Sequence, residues 1–169
     1  TETAIICSAR MTNEELYMVR ALARQLGVTK IDIVPRKGEN DGMLVSDDLN
    51  PNTNGAKLIL GKNGSGLAAI RRGIKNNSIR FLIALGEDVT EEAGIEAEDL
   101  EALDYILAMS HSENATTKAA DVVLPSVTFA EKYGTMINVA GRIQRLNKAI
   151  EPQGEARPDW DILRQLTEQ

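Results

Sequence analysis

A chain of 169 residues, 43% hydrophobic and 26% charged, suits one globular domain, since a polypeptide of this length buries about 70% of the surface its unfolded form exposes. The formal net charge of −6 argues against a general binder of nucleic-acid backbones, which needs a cationic face, and no apolar run approaches the ~20 residues that span a bilayer. One cysteine, Cys7, and one histidine, His111, exclude an intramolecular disulfide and a four-cysteine iron–sulfur cluster, and argue against a histidine-based zinc site or serine triad.

The chain opens TETAIIC, without an initiator methionine or leader, and reads as a segment cut from a longer polypeptide. AIICS (4–8) is a buried strand, in which Cys7 reads as packing rather than a nucleophile. Thr12 precedes NEELYMVRALARQLG with Glu15 three positions on, the spacing of a capping box; Leu16, Val19, Ala23 and Leu26 recur at helical intervals, and Gly27 stops the helix. KIDIVP (30–35) is a second strand. Residues 36–55, RKGENDGMLVSDDLNPNTNG, form a polar loop longer than most structural connections. KLILG (57–61) fits either a short strand or a helical turn, and GLAAIRRGIKN (66–76) a helix.

RFLIALG (80–86) is the clearest buried strand. DLEAL (99–103) is helical, DYILAMS (104–110) a strand, SENATTKAA (112–120) a short helix, and DVVLP (121–125) a last parallel strand. Apolar strands alternating with amphipathic helices imply right-handed crossovers and a doubly wound, mostly parallel α/β sheet with helices on both faces. Past Pro125 the pattern changes, so 126–169 reads as a C-terminal extension packed on the same domain. TFAEK is one helical turn, 134–150 an extended or hairpin excursion, and PDWDILRQLTEQ a closing helix with Pro158 at its first turn.

Ligands of parallel α/β folds sit beyond the carboxyl ends of the strands. Here those ends are Ser8–Arg10, Arg36 onward, Gly86–Asp88, Ser110–Ser112 and Pro125–Ser126. Gly86 lets a backbone N–H approach an anion, and Glu87 and Asp88 can accept from a hydroxyl or a base amine. His111 follows a strand end and reads as a lone exposed histidine, with a cleft-facing role as the alternative. A second candidate is Gly64, Gly66 and Ala69, a G-x-G-x-x-A spacing before a helix with Glu87 18 residues beyond, close to a dinucleotide-binding fingerprint. The acidic run from Glu91 to Glu101 is a solvated face without the spacing of a calcium loop.

Taken together, 80–166 carries an ordered set of motifs: LGED, then SENATTKAADVVLP, FAEKYGTMINVAGRIQ and GEARPDWDILRQL. This order resembles the molybdopterin oxidoreductase superfamily, and within it two branches: formate dehydrogenase catalytic subunits and the G subunit of NADH–quinone oxidoreductase, respiratory complex I. SARMTNEELYMVRALARQLGVTKIDIVPR resembles a segment of both. In the active formate dehydrogenases the matching arginine leads into a cysteine or selenocysteine that ligates molybdenum, followed by a histidine; here Arg36 is followed by KGENDGM, and a large intervening region of those enzymes is missing.

The resemblance therefore implies a non-catalytic, scaffolding domain of a complex I G-type subunit. It would have no cofactor of its own and no self-contained active site. It would pack on the iron–sulfur domains of its parent chain and other peripheral-arm subunits, in the cytoplasm beside the inner membrane, without nucleic-acid binding or membrane insertion. The alternative it implies is a fragment of a molybdenum enzyme such as formate dehydrogenase, contacting a molybdopterin guanine dinucleotide through Thr12, Asn13 and Glu14 after the first strand and Gly86, Glu87 and Asp88 after the strand at 80–86. A third reading is a nucleotide-binding module built on Gly64, Gly66, Ala69 and Glu87. In GTMINVAGRIQ (134–144), Gly134 and Gly141 bracket a strand-like segment, and Asn138, Arg142 and Gln144 are free to tie it back to the sheet's carboxyl edge as a remnant of family architecture.

Overall fold

The computed structural model describes residues 1–168. Five strands, β1 (Thr3–Cys7), β2 (Lys30–Ile33), β3 (Phe81–Leu85), β4 (Tyr105–Ser110) and β5 (Val122–Pro125), form one parallel sheet in the order β2-β1-β3-β4-β5. Side chains on a strand alternate between faces, so a strand buried on both sides must be apolar at every position. β1 does this: Ile5 and Cys7 join one core, and Ala4 and Ile6 the other. The first core is closed by α1 (Asn13–Gln25), α2 (Thr53–Leu60) and α6 (Asp159–Thr167), through residues such as Leu16, Val19, Ala56 and Leu163. The second is closed by α3 (Leu67–Lys75) and α4 (Ala97–Glu101), with Ile70, Ile74 and Leu100 against Leu82 and Ala84. The doubly wound architecture expected from the alternation of elements is therefore present. The short α5 (Ala115–Ala119) leads into β5.

KLILG belongs to a helix rather than a strand. α2 starts at Thr53, inside what the sequence suggested was loop, and ends at Gly61, whose φ of 68° gives the left-handed stop. The remaining loop is closed at its base: Leu49 N–H donates to Arg36 O at 3.1 Å, Arg36 Nη1 to Asn50 Oδ1 at 3.1 Å, and Asn50 Nδ2 to Val34 O at 3.0 Å. TFAEK forms a 3-10 turn (Phe129–Glu131), and the stretch after it forms an antiparallel hairpin of β6 (Gly134–Ile137) and β7 (Ile143–Leu146). No helix among the described residues is long and apolar enough to cross a membrane.

Candidate functional site

The strand order reverses between β1 and β3. β1 is followed by β2 on one side, while β3, β4 and β5 run outward on the other. Diverging connections leave a crevice at the carboxyl ends of such a pair. A cleft of about 260 Å³ opens there, lined by Ser8 and Arg10 after β1, Gly86 after β3, His111 after β4, Ser126 and Thr128 after β5, and Lys132 and Asp159 from the C-terminal segment. His111 is thus both exposed and at the cleft. Gly86 has φ 73°, and a Cβ there would meet Ser8 Cβ at 3.3 Å, so glycine keeps the floor of the crevice open. Its N–H, expected to meet an anion, instead donates to Met109 O at 2.8 Å.

The two acids after Gly86 bind protein groups. Glu87, its side chain fully shielded from solvent, is held by both Arg36 terminal nitrogens, with Nη1 at 3.0 Å from Oε1, and by Arg10 Nη2 at 3.5 Å. Arg36 also reaches Glu92 at 3.1 Å. Burial disfavours the Arg36 cation, but Glu87 and Glu92 outweigh that and raise its pKa. Arg10, about half exposed, is steered by Ser8, whose Oγ accepts from Arg10 N–H at 3.1 Å and Nε at 3.5 Å. Asp88 accepts from Thr90 N–H and Oγ1, Ala115 N–H and Thr116 Oγ1 at 2.6–3.1 Å, fastening the loop after β3 to the start of α5. Burial works against the Asp88 carboxylate, but these donors prevail and hold its pKa below the usual value.

Thr12, Asn13 and Glu14 face the hairpin. Thr12 and Glu15 form the expected capping box, at 3.3 Å and 2.7 Å. Glu14 accepts from Thr135 N–H at 2.8 Å and Thr135 Oγ1 at 2.9 Å, and Asn13 Nδ2 donates to Thr135 Oγ1 at 3.0 Å. The hairpin runs so close to α1 that a Cβ on Gly134 would fall 2.5 Å from Thr12 Cγ2. A second anchor comes from α2: Asn52 accepts Ile137 N–H at 2.7 Å and donates to Met11 O at 2.8 Å, and Asn54 Nδ2 donates to Asn138 O at 2.7 Å. Asn138 Oδ1 caps its own turn by accepting Arg142 N–H. The Arg142 and Gln144 side chains are exposed and make no hydrogen bond among the described residues. The tie-back expected of Asn138, Arg142 and Gln144 is therefore made chiefly from the other side, by residues of α1 and α2. The spaced asparagines of NPNTNG were its only signal in the sequence.

The glycine fingerprint is filled from within. Asp32, on β2 and 1% exposed, accepts Gly64 N–H at 2.7 Å on one oxygen and Gly66 N–H at 2.5 Å on the other. A protein carboxylate thus occupies the position where a phosphate would bind. The element before these glycines is helix α2, not the strand a dinucleotide fingerprint needs, and Glu87 is committed to its arginines. These three facts count against the nucleotide-module reading of Gly64, Gly66, Ala69 and Glu87.

One part of the site has no sequence signal. Lys132, 6% exposed at its side chain, lies 2.9 Å from Glu15 Oε2 and 2.6 Å from Asp159 Oδ2, both buried. Burial disfavours its charge, but the two carboxylates outweigh it and raise the pKa. Metal ligation has no comparable constellation: no group of three or more His, Cys, Asp or Glu side chains among the described residues could hold an ion. Cys7 is buried with its thiol donating to Asp32 O, and burial, then the charges of Glu87 and Asp32, push its pKa up.

The family model described as molybdopterin oxidoreductase matches residues 9–169. Among curated proteins, the chain is 41% identical over 93 residues to F420-dependent formate dehydrogenase 2 subunit alpha of Methanococcus maripaludis, covering 53% of this chain and 14% of that protein. It is 39% identical over 106 residues to NADPH-Fe(3+) oxidoreductase subunit alpha of Geobacter sulfurreducens, covering 61% and 13%. It thus spans about one seventh of the length of these relatives. Among solved structures, acetylene hydratase from Pelobacter acetylenicus superposes with a TM-score of 0.48 at 21% identity, over 63% of this chain and 15% of that one.

Proposed function

Because the chain belongs to the molybdopterin oxidoreductase family, we propose that it is a domain of a formate-dehydrogenase-type alpha subunit whose cleft holds the phosphate-bearing part of a pterin-guanine-dinucleotide cofactor. The named relatives support this alternative over the complex I G-subunit reading. The observation that carries the proposal is the cleft at the β1/β3 reversal, where Arg10 and His111 offer cationic or N–H donors beside the hydroxyls of Ser8 and Ser126. That donor set fits a phosphate. The cleft's volume of about 260 Å³ is below the ~300–1,000 Å³ of typical small-molecule sites, so it takes one end of a dinucleotide.

The same residues do not fit the metal. Arg36 leads into a loop closed at its base, Cys7 is sealed inside the sheet, and no cluster of ligating side chains among the described residues faces the cleft. In the parent enzyme the bound cofactor would supply the redox chemistry, with its metal ligand coming from elsewhere. This domain's part is to bind and orient: Arg10 balances phosphate charge, Gly86 forms the floor, and Lys132 stays with Glu15 and Asp159 in the wall. Glu87 and Asp88 act on this reading by fastening the loop after β3, through Arg36 and Thr116, while Thr12 caps α1 through Glu15 and Asn13 and Glu14 hold the hairpin through Thr135.

Titration with guanosine diphosphate tests the proposal. A ligand that binds only the native state raises the melting temperature in a saturable way. A rise that Arg10→Ala abolishes is the expected result; no shift at millimolar nucleotide overturns it.

A further inference from the structure

The charges behind the cleft are unbalanced. Glu15 in the first turn of α1 and Asp159 in the first turn of α6 share one ammonium, that of Lys132, and all three side chains are at most 6% exposed. With every group ionised the cluster carries two negative charges and one positive, and net charge away from water is expensive. The two oxygens of Glu15 are also unequal. Oε2 accepts both Lys132 Nζ and Thr12 N–H, whereas Oε1 is buried without any hydrogen-bond partner among the described residues. Nothing offsets the desolvation of that half of the carboxylate.

We propose that Glu15 is a proton-binding site, protonated in the folded chain toward neutral pH, and that its proton sets the charge of the wall Lys132 and Asp159 present to the cleft. The charged groups that face it are Lys132, from the segment entering β6, and Asp159, from α6; its neighbour Glu14 is engaged with Thr135. Of these only Lys132 favours the ionised form. Burial and then Asp159 push the Glu15 carboxyl up to about 7, against the pull of Lys132 and of Thr12 N–H.

A raised pKa means that the folded chain holds a proton the unfolded chain has released. The stability this contributes is complete below the ordinary glutamate value of 4.5 and is lost as pH rises through about 7. Protonated, the triad is neutral; ionised, it turns a negative wall toward the cleft. The effect on an anionic occupant rests on the cofactor reading above. The proton site itself does not.

Carboxyl carbon-13 NMR of the intact chain, with the Glu15 signal assigned by its loss in Glu15→Gln, reads the site directly. A midpoint near pH 7 is expected, and a midpoint in the ordinary carboxylate range overturns the proposal. Melting temperatures in a His111→Asn background provide a second reading: they fall by several degrees between pH 5.5 and 8.5, and the fall shrinks in Glu15→Gln. Parallel profiles also overturn it. Sulfate, which does not titrate in this range, separates the two ideas. Several-fold weaker sulfate binding at the higher pH, absent in Glu15→Gln, supports the coupling. Titration of Glu15 with no sulfate binding at any pH upholds the proton site and removes only the anionic reading of the cleft.

Discussion

Replacing Asp32 by alanine removes a carboxylate on which the turn before α3 is built. Its two oxygens accept Gly64 N–H at 2.7 Å, Gly66 N–H at 2.5 Å and the adjacent Ile33 N–H at 2.8 Å, from a side chain sealed between β2 and the turn. A hydrogen bond to a charged group contributes roughly 1.5–3 kcal/mol, and the bonds to Gly64 and Gly66 are the two that close the turn. Their amides are only partly buried and regain water if the turn opens, which brings the expected loss to about 2–4 kcal/mol. For a domain of this size each kcal/mol moves the melting temperature by about 2–4 °C, so thermal unfolding should show a drop of about 10 °C. The vacated position faces the Gly64 and Gly66 N–H groups at the entrance to α3, so sulfate should restore more stability to Asp32→Ala than it adds to the wild-type chain. A drop under about 2 °C, or an equal sulfate effect on both proteins, would refute the claim that this carboxylate stands in for a bound anion.

Two further substitutions test the bracing of the site. Arg36→Met leaves Glu87 shut from solvent with only Arg10, 3.5 Å away and half exposed, for a partner. Stranding one member of a buried pair costs about 3–5 kcal/mol, readable as a lowered urea midpoint, and a change below about 1 kcal/mol would mean that Arg10 suffices. Asn52→Ala strips Ile137 N–H and Met11 O of their partner at a fully buried position. The expected loss is about 2–4 kcal/mol, with faster proteolytic cleavage between β6 and β7; unchanged cleavage would show that Glu14, Asn13 and Asn54 suffice to hold the hairpin.

Much of the scaffold was legible because its signals are local. Strands buried on both faces must be apolar throughout, and AIIC and LIAL could hardly be anything else. The capping box of Thr12 and Glu15 spans three residues and is confirmed by its bonds. Alternatives stayed open where local signals were degenerate. KLIL suits a strand or a helix, and only packing of Ala56 under α1 selects the helix. A G-x-G-x-x-A spacing reads the same whether a phosphate or an aspartate sits at the amides, and Asp32 lies 32 residues from Gly64.

Fold class, the order of the strands in the chain and, through the ordered motifs of the second half, a resemblance to the family were legible in the linear chain. The first two follow from periodicity and near-neighbour chemistry, and the third from motif order; a linear string records all of them. Which polar groups are committed emerges only once the chain is folded. Glu87 meets Arg36 across 51 residues, Thr135 meets Glu14 across 121, and Lys132 meets Glu15 across 117. With 25 acidic and 19 basic side chains available, no spacing rule selects those pairs. The choice falls to the sheet order, which brings the ends of β1, β3, β4 and β5 to one crevice, and to burial, which makes a partner obligatory for each charge enclosed there.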